Sequence, residues 1–172
     1  SFWDGLVEFD GENFIIFDDS NSSLNNAVQD FNRTRVSGLA YDNDNNLWIT
    51  NNTAARPLSV LKNDGTWQSF TPGAGCTTET GFLDIAIDAF GYKWINLANS
   101  TSQGILVFDE GDIEDPNDDA CKLLSTSTSQ LPSNRVTAIE VDLDGSVWVG
   151  TEQGPIVFEC DVINSNCPGS LR

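Results

Sequence analysis

The chain of 172 residues carries 26 Asp and Glu, 8 Lys and Arg, and no His. Any chemistry it performs must therefore run on carboxylates, amides and hydroxyls. The densest group is Asp109-Glu110-Gly111-Asp112-Ile113-Glu114-Asp115-Pro116-Asn117-Asp118-Asp119, seven acids in eleven residues. Like charges this close repel one another, and an oxygen-seeking cation such as Ca2+ would relieve the repulsion, as would a solvated loop. Two shorter runs, Asp42-Asn43-Asp44-Asn45-Asn46 and Asp142-Leu143-Asp144-Gly145, look like the opening of an EF-hand loop. Neither continues as one. Position six is Leu47 in the first and falls at Ser146-Val147 in the second, and no Glu closes either loop at position twelve. Both read as hairpin turns.

Catalysis has little to work with. The absence of His removes the usual triad and the usual general base near neutral pH. Gly150-Thr151-Glu152-Gln153-Gly154 sets a hydroxyl between glycines, but at a place where the chain needs a tight bend. Glycoside hydrolysis needs two carboxyl groups at a defined separation, and no neighbouring pair with that geometry stands out. The expectation is a protein that is not an enzyme and carries no metal site. Binding remains, and the loops Asn51–Arg56, Leu97–Gln103 and Thr151–Gln153 are rich in amides and hydroxyls. Asn52, Arg56, Asn99, Thr101, Gln103 and Glu152 are the candidate ligand-binding residues. They suit neutral hydrogen-bonded ligands such as glycans or extended peptide.

The net charge of −18 repels phosphate backbones and anionic headgroups, so nucleic acid is excluded as a direct partner. No stretch approaches the roughly 20 apolar residues of a membrane-spanning helix. The four cysteines lack the Cys-x-x-Cys spacing of zinc sites, and no His accompanies them. Disulfides are the better reading, with Cys160 and Cys167 close enough for a local bridge and Cys76 and Cys121 left as the other pair; three connectivities remain open. Disulfides point to an extracytoplasmic location, at the cell surface or in the periplasm.

The elements that must position these residues are read from a repeat. An apolar strand, an Asp, five residues and a Trp occur three times, with Asp42 and Trp48, Asp88 and Trp94, and Asp142 and Trp148 in the same interval. The copies lie 46 and 54 residues apart, and a repeat of roughly 40–50 residues built from short strands is the signature of propeller blades. The third residue after each Asp is Asn45, Gly91 or Gly145, types that tolerate positive φ, so one hairpin recurs. Trp48, Trp94 and Trp148 read as packing residues between blades. On the first strands Leu39 and Tyr41, Ile85 and Ile87, and Ile139 and Val141 share one face, opposite a smaller or more polar face. Only Leu24–Phe31 offers a helical turn or two.

The expected fold is all-β, a β-propeller segment of four-stranded antiparallel blades belonging to a larger, six- to eight-bladed ring. Its expected parts are a partial blade over 1–24, blades over 35–72 and 81–126, and a partial blade over 135–172.

The phrase from Leu131 through Val136, Asp142, Gly145, Trp148 and Gly154 to Phe158 resembles the two-component-regulator propeller repeat of Bacteroidetes-type bacteria. That repeat occurs in periplasmic sensors of hybrid histidine kinases and in secreted proteins. The continuation Phe158-Glu159-Cys160 with Cys167-Pro168-Gly169-Ser170, and the segment Asp88 to Asn96, are similar to the PorZ-like propeller subunit of the type IX secretion attachment complex. Asn45 and Asn96 stand where the repeat usually has Gly. The resemblance implies a non-enzymatic surface component that works with other protein subunits and handles cargo and an anionic lipopolysaccharide. A charge of −18 suits direct contact with that polysaccharide only if cations bridge. The alternative it implies is a periplasmic glycan-sensing propeller of a hybrid two-component histidine kinase.

Overall fold

The computed structural model describes residues 4–72, 77, 79–97 and 104–172, and among them strands and turns are the only regular structure. A hairpin comes first, β1 (Leu6–Phe9) and β2 (Phe14–Phe17), closed where Asp10 Oδ1 accepts the amides of Glu12 and Asn13 at 2.8 and 2.7 Å. Three four-stranded sheets follow, each a meander in chain order. The first holds β3 (Val36–Tyr41), β4 (Leu47–Asn51), β5 (Leu58–Leu61) and β6 (Trp67–Phe70). The second holds β7 (Phe82–Ile87), β8 (Lys93–Leu97), β9 (Ile105–Asp109) and β10 (Ala120–Leu124). The third holds β11 (Val136–Val141), β12 (Val147–Thr151), β13 (Gly154–Phe158) and β14 (Ser170–Leu171). These are antiparallel sheets of propeller-blade type.

Register repeats along with sequence. Trp48 pairs with Ala40 and Val60, and Trp148 with Glu140 and Val157. The ladder slips at matching places, between Val36 and Gly38 and between Val136 and Ala138. Because side chains alternate across a strand, this register puts each Trp on one face of its sheet. Ile49 and Val149, the next residues, point to the other.

The chain divides into two compact units. The first contains the β1–β2 hairpin and the sheet β3–β6. Leu6, Leu24, Val36 and Ile49 form its core, and Phe17 packs on Trp67 with ring centroids 5.2 Å apart. The second contains the sheet β11–β14 and, from Asp84 onward, the sheet that begins with β7. Its core joins Trp94, Val107 and Leu124 to Ile139, Val149 and Phe158, with Trp94 and Phe158 centroids 5.2 Å apart.

The shared first-strand face does not meet the same fate twice. Ile85 and Ile139 are 5% and 4% exposed, whereas Leu39 and Tyr41 are 48% and 68% exposed. The two-stranded hairpin of the first unit packs with Ile49 and with Val36 at the start of β3 but leaves Leu39 and Tyr41 at its end exposed. A cleft of about 360 Å³ is left, lined by Leu6, Val7, Leu39, Tyr41, Leu47 and Leu61.

Two expectations are corrected. Leu24–Phe31 forms no helical turn; Ala27 bridges Asp30 and Ala54, and the Asp30 amide donates to the Ala27 carbonyl at 3.0 Å. The backbone amides find partners elsewhere: that of Val28, which a helix would pair with the Leu24 carbonyl, donates to the Thr53 carbonyl at 2.9 Å, and that of Ala27 to the Arg33 carbonyl at 2.9 Å. The last sheet has a fourth strand, β14, which local alternation does not announce. It pairs Ile156 with Leu171 and Val157 with Ser170, after a loop bridged by the Cys160–Cys167 disulfide. Cys121 is also disulfide-bonded, and Cys76 lies outside the described residues.

Candidate functional site

The repeated Asp is the organising residue of each hairpin. Asp88 Oδ2 accepts the Trp94 indole N–H at 2.8 Å, while Oδ1 accepts the amides of Phe90 and Tyr92 at 2.9 and 3.0 Å. Asp42 does the same for Trp48, Asp44 and Asn46 at 2.9 Å each. Asp142 takes Trp148 at 2.8 Å and the amides of Asp144 and Ser146 at 3.0 Å. The turn also closes through backbone, as the Gly91 and Gly145 amides donate to Asp88 and Asp142 carbonyls at 3.0 Å. Asn45, Gly91 and Gly145 take φ of 62°, 88° and 82°, the left-handed region that the residue types foretold. The five-residue interval is thus the reach of a carboxylate across its own turn to an indole. The fixed spacing held that signal, and the packing role assigned to the Trp hid it.

Burial separates the three carboxylates. Burial pushes the Asp88 carboxyl above its ordinary value despite the Trp94, Tyr92 and Phe90 donors, and the Asp161 charge pushes the same way. For Asp42 burial acts upward too, but hydrogen bonds from Trp48, Asn46 and Asp44 outweigh it and the carboxyl is held low. Asp142 is held low first by the Trp148 indole. A buried acid of raised pKa is a place to look for proton transfer. Asp88, however, has both oxygens engaged by the hairpin it closes, which makes it a structural acid.

The candidate ligand residues lie on loops after the second strands. The Asn52 amide donates to the Arg35 carbonyl at 2.7 Å, and the Glu152 amide to the Arg135 carbonyl at 3.1 Å. The two therefore hold equivalent positions, one in each unit. Glu152 also accepts the Arg135 guanidinium at 3.4 Å. Arg56 is exposed and donates to Ser69 Oγ at 3.3 Å. Among the described residues Asn52 Oδ1 and the neighbouring Thr53 Oγ1, both buried, meet no hydrogen-bond partner, and Thr53 is held at φ 60°. Asn99, Thr101 and Gln103 lie outside the described residues. The arginines before β3 and β11, Arg35 and Arg135, were missed; their common spacing to Asn52 and Glu152 was the available signal.

Four of the seven carboxylates in the acidic segment 109–119 accept from its own backbone. Asp109 takes the Gly111 amide, Asp112 that of Glu114, Asp115 that of Asn117 and Asp118 that of Asp112, between 2.8 and 3.1 Å. Glu110 turns inward to an ion pair with Lys93, which is buried where the other copies have Leu47 and Val147. Burial pushes the Glu110 carboxyl up, and Lys93 pulls it back. Among the described residues no three His, Cys, Asp or Glu are grouped so as to hold a metal ion, and no helix is long and apolar enough to cross a membrane.

These sheets and turns define a module of β-propeller type. Residues 130–153 match the two component regulator propeller family. The fold is similar to PorZ, described as an essential bacterial surface component of the type-IX secretion system of Porphyromonas gingivalis. That similarity covers 98% of this chain and 24% of PorZ at 25% identity and a TM-score of 0.79. It is also similar to the extracellular domain of the putative hybrid two component system BT3049 from B. thetaiotaomicron, over 89% of this chain and 18% of that one, at 18% identity and a TM-score of 0.59. The chain thus spans about a quarter of the length of PorZ. No curated protein matches it.

Proposed function

We propose that this chain is part of an extracytoplasmic β-propeller that binds and assembles rather than catalyses, within a cell-surface secretion complex of the type IX kind. Its partners are other protein subunits of that complex, with glycan or lipopolysaccharide as a further ligand. The observation that carries the reading is the likeness to PorZ across nearly the whole chain. The disulfides support an oxidising compartment, and carboxylates bound up in turns support a role without turnover. Deleting the gene in its own bacterium tests this. Type IX cargo should fail to reach the cell surface, and the full-length protein should restore it; normal cargo display in the deletion strain would overturn the reading.

The match of residues 130–153 to the regulator propeller favours a second reading, the sensor domain of a hybrid two-component histidine kinase. On that reading the deletion leaves cargo display intact and abolishes transcriptional induction by a glycan.

A further inference from the structure

In the second unit, the loop between β13 and β14 reaches across to the sheet that contains β8 and β10. Tyr92, just before β8, donates its hydroxyl hydrogen to Asp161 Oδ1 at 3.2 Å and accepts from Asn164 Nδ2 at 2.9 Å. Lys122 on β10 donates to the carbonyls of Val162 and Ser165, the latter at 3.1 Å. The Gln130 amide, beyond β10, donates to the Pro168 carbonyl at 2.8 Å. Val162 and Cys167 are 1% and 2% exposed and sit in the same core as Trp94 and Leu124. Three residues on or beside one sheet, Tyr92, Lys122 and Gln130, thus hold one short loop of the other. The loop keeps the shape that meets them because Cys160 and Cys167 are joined, seven residues apart, and Asp161 is bonded internally to the Asn164 amide at 2.8 Å.

We propose that the Cys160–Cys167 loop is a redox-sensitive clasp that locks the last sheet onto the preceding one and keeps the Trp94 seam closed. A dithiol reductant delivers two electrons and two protons to the sulfur pair, leaving two thiols here and a disulfide in the reductant. The freed loop gains conformations, and its contacts with Tyr92, Lys122 and Gln130 must then be held at an entropic cost that the disulfide had removed. Opening is confined to this seam, because the clasp contacts named above all lie within the second unit.

The test is hydrogen exchange on the full chain bearing Cys160→Ser and Cys167→Ser, with Cys76 and Cys121 intact. Amides of β8 and β10 should exchange about tenfold faster while those of β4 and β5 stay unchanged. Native protein treated with dithiothreitol should show the same pattern once alkylation reports Cys160 and Cys167 reduced while Cys121 is still bonded. Acceleration restricted to residues 160–169, with β8 and β10 as protected as before, would overturn the proposal. If the double variant does not accumulate as folded protein, the pair Tyr92→Phe and Lys122→Met serves with the disulfide kept. The same β8 and β10 amides should then exchange about threefold faster, and no change there would overturn the proposal as well.

Discussion

Trp94 and Trp148 occupy the same place in two successive sheets and make the same hydrogen bond, yet one is 0% and the other 37% exposed. Trp94 looks onto Phe158 of the following sheet. Among the described residues nothing comparable covers Trp148. Their carboxylate partners diverge accordingly, Asp88 pushed up by burial and Asp142 held low by its donors. Local sequence therefore builds the Asp–Trp hairpin, and the neighbouring sheet decides its energetics.

Removing the indoles should separate the two sites most. Trp94→Ala leaves a large cavity in the seam and should destabilise the unit by about 3–5 kcal/mol. Trp148→Ala should cost about 1–2 kcal/mol. Urea unfolding followed through Trp67 and the remaining indoles measures both, and equal losses would break the comparison.

Removing the carboxylates comes next. Asp88→Ala strands a buried indole N–H and two amides and should cost about 2–4 kcal/mol. At Asp142 water replaces the lost acceptor, so the same substitution should cost clearly less in the same unfolding experiment.

Acid titration sharpens the contrast in sign. The folded pKa of Asp88 lies above its ordinary 3.8, so the folded state binds this proton more readily and stability rises as pH falls through the window above 3.8. The folded pKa of Asp142 lies below 3.8, so its contribution is present above that value and is lost as pH falls below it. In denaturant midpoints against pH, Asp88→Asn should remove a gain and Asp142→Asn a loss. A loss removed by both would contradict the assignment.

How much of this was legible follows the same division. The Asp-to-Trp interval and the positive-φ residues Asn45, Gly91 and Gly145 foretold sheets and hairpins, because both are set within about ten residues of chain. The indole-to-carboxylate bond was within reach of that spacing but needed the turn's geometry to be seen. The exposure of Leu39 and Tyr41 against the burial of Ile139 was not legible, since the strands are alike and only the covering sheet differs. Strand β14 was hidden for a related reason: its pairing follows from the bridged loop before it and not from alternation. At the candidate site, the equivalence of Asn52 and Glu152 required the backbone bonds to Arg35 and Arg135.

Smaller effects test the turn and the Arg135–Glu152 pair. Gly91→Ala should cost about 1 kcal/mol because Ala resists φ near 88°, whereas Gly91→Asn, copying Asn45, should cost less. Arg135→Ala removes an exposed pair with Glu152 and should change stability by less than about 0.5 kcal/mol. Thermal melts of the three variants rank them.

Hydrogen exchange of the indole N–H groups, followed by NMR on the folded chain, bears most directly on the central claim. The Trp48, Trp94 and Trp148 signals are assigned through Asp42→Asn, Asp88→Asn and Asp142→Asn. The Trp48 and Trp94 protons should be strongly protected and the Trp148 proton much less so, with each signal perturbed by loss of its own Asp. Equal protection at Trp94 and Trp148, or a Trp94 signal indifferent to Asp88, would contradict the account.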